Sequence, residues 1–360
     1  MKTEDGARLL SQLVRIPSLS REEGPVVDAL SEVLSKHASL SAERRDRNLL
    51  ARFGHGRPEL WLNSHLDTVR PAEGYTFDPW SGDIVDGQIR GLGANDAKGS
   101  IVAMAMAITR FAERHPNFDS GTVVLAATCE EEIGGEGLKR LRRELPAPDA
   151  IIVGEPNEVR VANCCKGVVL VRITAHGKSA HVSRPWQGTN AVRVAAPLIA
   201  ELVDDHGLPV DPLLGPATHE VTMIQGGHQS NALPASIILG LDCRTTPTFG
   251  NDVMVAHLES IVARHEDCSV EITASDVHAV RTDAAGRLVR AACHVTGQKE
   301  PQAFVGVCDF VYCGDVDAII LGPGKGERSH RAYEFLEISE LEAAAQAYVS
   351  TIETYFGLGT

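Results

Sequence analysis

The sequence predicts an α/β fold, a mostly parallel sheet sandwiched by helices, with an α+β unit inserted into it. Three observations point there. Strand-like and helix-like segments alternate through the first half of the chain, as they do where crossover helices connect parallel strands. A β-rich stretch then occupies residues 167–278. The α/β pattern resumes after it, so residues 1–166 and 279–360 form one discontinuous domain around the insertion.

Taken in order, "ARLLSQLVRI" and "PVVDALSEVLSKH" space their apolar residues at helical intervals. "ELWLNSHLDTV" reads as a strand running into a loop, and "KGSIVAMAMAITRFAERH" as a helix closed by His115-Pro116. "GTVVLAATCEEE" is a strand that ends in an acidic run; "APDAIIVGEPN" is another, ending in Gly-Glu-Pro. Within the insertion, "GVVLVRITAHGKSAH", "HEVTMIQGGHQSNALPASIILGLDCRTTP" and "CSVEITAS" are strand-rich. Helices are expected there at "NAVRVAAPLIAELVDDH" and "FGNDVMVAHLESIVARHE". "AGRLVRAACHVTG", "AIILGPG" and "ISELEAAAQAYVSTIETYFG" return to the α/β idiom. No repeat of 20–50 residues interrupts this order.

The 360 residues, 43% hydrophobic and 23% charged, have an ordinary globular composition and suit two domains better than one. A net charge of −14 argues against nucleic acid or an anionic membrane as the main partner. The opening "MKTEDGARLLSQLVRIPS" mixes charges through its apolar positions and has no signal-peptide core. The most apolar helical stretch meets Arg110 well short of the roughly 20 residues needed to span a bilayer. Eight cysteines show no CxxC pair, which suits buried, reduced thiols in a cytoplasmic protein.

The polar residues cluster in one way. His65, Asp67, Asp96, Glu131, Glu132 and Glu155 all fall at or just past strand ends, or in a loop opening a helix. In open α/β sheets that edge binds ligands. In "NSHLDTV", His65 and Asp67 are two apart and face the same way on a strand. Asp67 could orient a metal-binding His65 or bind the metal itself. In "GLGANDAKGS", Asp96 could bridge two cations or cap the helix that follows. In "EEEIGGEG", adjacent glutamates can divide the labour of a dinuclear hydrolase, one binding metal and one taking a proton from water. Gly134-Gly135 then lets the chain turn away. "VGEPN" adds Glu155 and "GKGERSHRAYEF" adds His330. Mixed nitrogen and oxygen donors suit zinc, with cobalt or manganese as alternatives.

The ordered set "HLDTV", "GLGANDAKGS", "EEEIGG", "GEP", "SAHVSRPWQGTNA", "GPG" and a late histidine resembles the acetylornithine deacetylase, succinyl-diaminopimelate desuccinylase and aminoacylase family of co-catalytic zinc hydrolases. The resemblance spans essentially the whole chain. It implies a zinc-peptidase-like catalytic domain and an insertion that serves as a lid and dimerisation domain. It implies two divalent metal ions held by His65, Asp96, Glu132, Glu155 and His330, with Asp96 bridging. Glu131 would be the general base and Asp67 the partner of His65. Aligned from Thr128, the family pattern leaves Glu130 without a role. His181, in "SAHVSRP", would act across a homodimer to stabilise the oxyanion. Asn231 and Arg244 match positions that contact substrate, and Arg328 could hold a substrate carboxylate. Leu92 and Ala97 depart from the family's usual Arg and Met.

The implied activity is hydrolysis of a small N-acyl amino acid. Glu155, where peptide-cleaving aminopeptidases of the wider family usually carry Asp, favours deacylases and carboxypeptidase-like members. "GERSHRAYEF" looks closest to the acetylornithine deacetylase branch, which points to N-acetylornithine in arginine biosynthesis. Succinyl-diaminopimelate, succinylornithine and carrier-linked lysine are the competing substrates. A silent metal- or amino-acid-binding dimer and a dinuclear phosphohydrolase are the readings from other classes.

Overall fold

The computed structural model describes residues 1–358, and the chain divides into two compact units. The first comprises Met1–Cys164, Thr282–Phe304 and the chain from Cys308 onward. At its centre four parallel strands lie in the order Gly121–Thr128, Glu59–His65, Ala150–Val153, Asp317–Ile320. Asn48–His55 joins antiparallel beside Gly121–Thr128, and Ser41–Arg45 beyond it. Ala162–Cys165 pairs antiparallel with Asp317–Ile320. The expected parallel sheet is therefore present at the centre, with antiparallel strands at its flanks.

Strands buried on both faces lose the alternation of polar and apolar residues. Every residue of Gly121–Thr128 is buried, and its sequence is correspondingly apolar apart from Thr122 and Thr128 near its ends. Leu60, Leu62, Val123, Leu125, Ile152 and Ile319 join the helices Thr3–Val14, Gly24–Ser35, Lys98–Arg114, Arg287–Thr296 and Ile338–Phe356 in one core. The residues pointing the other way, such as Trp61, Val124, Ile151 and Ile320, are buried as well. Lys98–Arg114 is apolar nearly all round because it packs against both Thr3–Val14 and Ile338–Phe356. Ile101, Met104, Ile108 and Phe111 are fully buried on it. Each such side chain contributes about 1.5–3 kcal/mol.

The parallel register does the positioning. His65 lies opposite Thr128, and Asn63 opposite Val153. Two neighbouring strands thus finish level and the third two residues short, which brings His65, the acidic run and Glu155 to one edge of the sheet.

The second unit comprises Cys165–Arg281 and Val305–Val307, where the sequence had suggested limits of 167 and 278. Four antiparallel strands lie in the order Thr218–Gly226, Ser236–Thr245, Gly167–His176, Cys268–Val277. Val169, Val171, Ile173 and Ala175 alternate inward and pack with helices Ala191–Asp204 and Asn251–Val262. Asn190 caps the first of these helices by accepting from the Val192 N–H. Seven of the eight cysteines of the chain are buried and Cys268 is half-buried, so packing accounts for them. Among the described residues, no helix is long and apolar enough to cross a membrane.

Candidate metal centre and active site

His65 ends its strand fully buried. Its Nδ1 lies 3.0 Å from the backbone carbonyl of Asp67. A carbonyl only accepts, so Nδ1 carries a proton, which leaves Nε2 as the ring nitrogen that could bind a metal. Nε2 lies 3.3 Å from Asp96 Oδ1. The Asp67 carboxylate sits 3.4 Å from His65 Nδ1, but its main work is elsewhere. It accepts from the backbone N–H groups of Glu131 and Glu132, at 3.0 and 3.2 Å, and from Ser20 Oγ at 2.7 Å. Burial would raise this carboxyl, but the hydrogen bonds from His65, Ser20 and Glu131 hold it below its ordinary value. Asp67 therefore anchors both His65 and the acidic loop. Asp67→Ala is expected to weaken zinc binding about 10–100-fold. Zinc titration against a competing chelator reads this, and an unchanged affinity would remove Asp67 from the design.

Asp96 does not cap the helix that follows it: the N-cap position is Ala97, and no side chain caps there. The Asp96 loop is instead fixed from behind. One oxygen of Glu334 accepts from the N–H groups of both Asn95 and Asp96, each at 3.0 Å. Asn95 in turn donates to the Lys325 carbonyl and to Ser329 Oγ, and accepts from the Lys325 N–H. It thereby ties the Asp96 loop to the segment leading into His330.

The acidic run is not a solvated turn. Glu130 is buried and adopts a left-handed backbone, φ 57°. Its carboxylate pairs with Arg47, which also binds the fully buried Glu23 at 3.0 Å. Glu130 thus has a structural role that the sequence reading denied it. Glu131 and Glu132 follow in a short 3-10 turn. Gly135 closes the turn at φ 70°, where a Cβ would meet Asp309 Oδ1 at 2.5 Å and the Tyr312 ring at 2.4 Å.

The five candidate ligands fall into two groups that share Asp96. Ligand atoms of His65, Asp96 and Glu155 lie within 4.8 Å of one another, as do those of Asp96, Glu132 and His330. A third such group joins His65 to Glu131 and Glu132. Glu155 Oε1 is buried without a hydrogen-bond partner among the described residues. Burial and the neighbouring carboxylates push Glu131 and Glu155 well above the carboxylate range, against the pull of His65. His330 is raised to about 9, chiefly by its 3.0 Å hydrogen bond to Glu132. Crowded oxygen donors with two imidazoles and no thiol fit a pair of borderline dications.

The remaining candidates sit as follows. His181 belongs to the second unit and is exposed; its Nδ1 lies 2.7 Å from Ser183 Oγ and accepts from the Ser183 N–H at 3.2 Å. That donor leaves the neutral ring with its proton on Nε2. Asn231 is exposed in the same unit, its carbonyl accepting from the Val182 N–H. Arg244 pairs with Asp242. Arg328, in the first unit, makes a two-pronged pair with Glu340 and lies over the Phe335 ring at 4.3 Å.

Two carboxylates escaped the sequence reading. Asp309 is buried, takes hydrogen bonds from Asn63 and Thr128, and is pushed by burial to about 6. Glu334 is fully buried and pushed up to about 8 by burial and by the charge of Asp96. Glu334 lies in the quoted "GERSHRAYEF" and was the legible one. Asp309 opens the short 3-10 turn Asp309–Tyr312, with no periodicity to mark it.

Comparison with known proteins places this geometry. Residues 61–354 match the sequence profile of Peptidase family M20/M25/M40. A succinyl-diaminopimelate desuccinylase of Methylorubrum populi is 29% identical, covering 99% of this chain and 100% of its own. A probable carboxypeptidase of Aspergillus terreus is 28% identical, over 95% of this chain and 84% of its own. The crystal structure of aminopeptidase PepT from Bacillus cereus superimposes with a TM-score of 0.80 at 20% identity, covering 99% of both chains.

Proposed function

Because the chain belongs to Peptidase family M20/M25/M40, we propose that it is a dinuclear metal-dependent hydrolase that removes an acyl group from an N-acyl amino acid. One observation carries this reading: two donor groups that share Asp96, with Glu131 beside them. His65, Asp96 and Glu155 would hold one divalent ion, and Asp96, Glu132 and His330 the other. Zinc fits these donors best, with cobalt and manganese behind it. The bound ions supply Lewis acidity to the scissile carbonyl and to a water molecule.

The protein's own groups do the rest. Burial, and then the like charges around it, raise the proton affinity of Glu131, which suits a carboxylate that must take a proton from the attacking water. The same oxygen then returns that proton to the leaving amine nitrogen. His181, with its proton on Nε2, is the proposed donor to the developing oxyanion, supplied by the second copy in a cytoplasmic homodimer. Such a donor contributes about 10²–10³ in rate. Asn231 and Arg244 are the proposed substrate contacts. Arg328 is the weaker candidate, since Glu340 already occupies its guanidinium.

Two acyl substrates lead. The name of the Methylorubrum populi relative favours succinyl-diaminopimelate. The "GERSHRAYEF" segment favours N-acetylornithine. The test is amine release by the zinc-loaded protein from N-acetylornithine, N-succinylornithine, succinyl-diaminopimelate and N-acetylmethionine at equal concentration. One of them is expected to be turned over at least about tenfold faster than the rest, a spread that one polar contact can produce. Removal of metal by a chelator should abolish turnover. No turnover of any, with two ions bound, would end the deacylase reading.

A further inference from the structure

Three side chains of the second unit, none used in the reaction above, converge on one point. Asp205 follows the helix Ala191–Asp204, His219 is on the strand Thr218–Gly226, and His257 is on the helix Asn251–Val262. Nε2 of His219 lies 2.9 Å from Asp205 Oδ2, and Nε2 of His257 lies 2.5 Å from the same oxygen. All three ligand atoms fall within 4.8 Å of one another. The His219 side chain is only 2% exposed. Its Nδ1 has no hydrogen-bond partner among the described residues, so the ring's polar engagement runs through Nε2. The two rings are splayed, with centroids 6.0 Å apart and planes at 43°, so they meet at their nitrogens rather than by stacking.

We infer that Asp205, His219 and His257 form an additional metal site that takes one transition-metal dication, zinc by the chemistry of its donors. Two imidazole nitrogens and one carboxylate oxygen are a donor set that zinc accepts with one position left for water. Donors bound about 2.0–2.1 Å from a tetrahedral ion lie about 3.3 Å apart. The 2.5 and 2.9 Å contacts need to open by about 0.8 and 0.4 Å to admit one. Asp205 and His257 are 24% and 28% exposed, so the ion enters from solvent and a water completes its shell. The site clips the end of one helix to a second helix and to an edge strand of the four-stranded sheet. Its role is to stiffen the insertion, and it stands apart from whether the N-acyl amino acid reading holds.

The experiment counts tightly bound zinc per chain in the full-length protein, stripped of metal and then titrated. Asp205→Asn and His257→Gln are measured beside it. Asn keeps an oxygen that both imidazoles can hydrogen-bond, so the fold survives while the anionic donor is lost. We expect each variant to bind one zinc fewer than the unaltered chain. We also expect each to lose the zinc-dependent rise in unfolding midpoint that this site supplies. The same zinc count in all three proteins would overturn the site and leave a hydrogen-bonded cluster. The count does not depend on turnover, so a protein inactive on every substrate still gives the answer.

Discussion

Glu131→Gln is expected to lower kcat by about 10²–10⁴ while both ions remain bound. The substitution keeps the size and one oxygen of the side chain but removes its ability to take a proton. Glu132→Gln is expected to behave differently, because Glu132 is hydrogen-bonded to His330 at 3.0 Å and belongs to a proposed ion pocket. Its loss should release one ion at zinc concentrations that saturate the unaltered chain. Measuring metal content and kcat on both variants separates the two roles. If Glu131→Gln loses an ion and Glu132→Gln keeps both, the assignment of base and ligand is reversed. If Glu131→Gln retains turnover within tenfold, Glu131 is not the base.

Arg47→Met should destabilise the first unit by about 3 kcal/mol, the lower end of the cost of breaking a buried ion pair. Arg47 is the cation between Glu23, which has no exposed side chain, and the largely buried Glu130. Without it the buried Glu23 loses its cation and Glu130 keeps only the exposed Arg21, 3.9 Å away. The Arg47 side chain is itself 22% exposed, so water relieves part of the loss and the upper end of the range is out of reach. The readout is the shift of the first transition in urea, since a chain of two units need not unfold in one step. A double variant that adds Glu23→Gln should recover part of the loss, because the isolated charge is then gone. A shift worth less than about 1 kcal/mol would show the pair to act as an ordinary surface contact.

Much of this was legible in the sequence, for a physical reason. A parallel strand buried on both faces is a run of apolar residues, and the first polar residues after it mark the sheet's C-terminal edge. "LWLNSH", "VVLAATCEE" and "AIIVGE" each end that way, and His65, Glu131, Glu132 and Glu155 come together in the folded unit. What escaped was written in no pattern. The strand Ser41–Arg45 is mostly charged because it is an exposed edge, so it has no apolar alternation to betray it. Asp309 and Glu23 are acidic residues whose burial depends on segments distant in sequence. Glu130 is left without a role by the family pattern because its partner, Arg47, lies more than eighty positions earlier in the chain. Asp205, His219 and His257 share no motif for the same reason: one helix end, one strand and another helix bring them together only in the fold.

The parallel register also sets when the site can exist during synthesis. Each parallel pairing joins strands distant along the chain, and such contacts form late because long loops must close first. Four of the five proposed ligands have been synthesised once Glu155 is added, but His330 comes only near the end of the 360 residues. Glu334, which holds the Asp96 loop from behind, comes four positions later still. A nascent chain therefore carries an acidic half-site with one imidazole and no finished second pocket. Both proposed pockets can therefore close only once the chain has been made as far as Glu334.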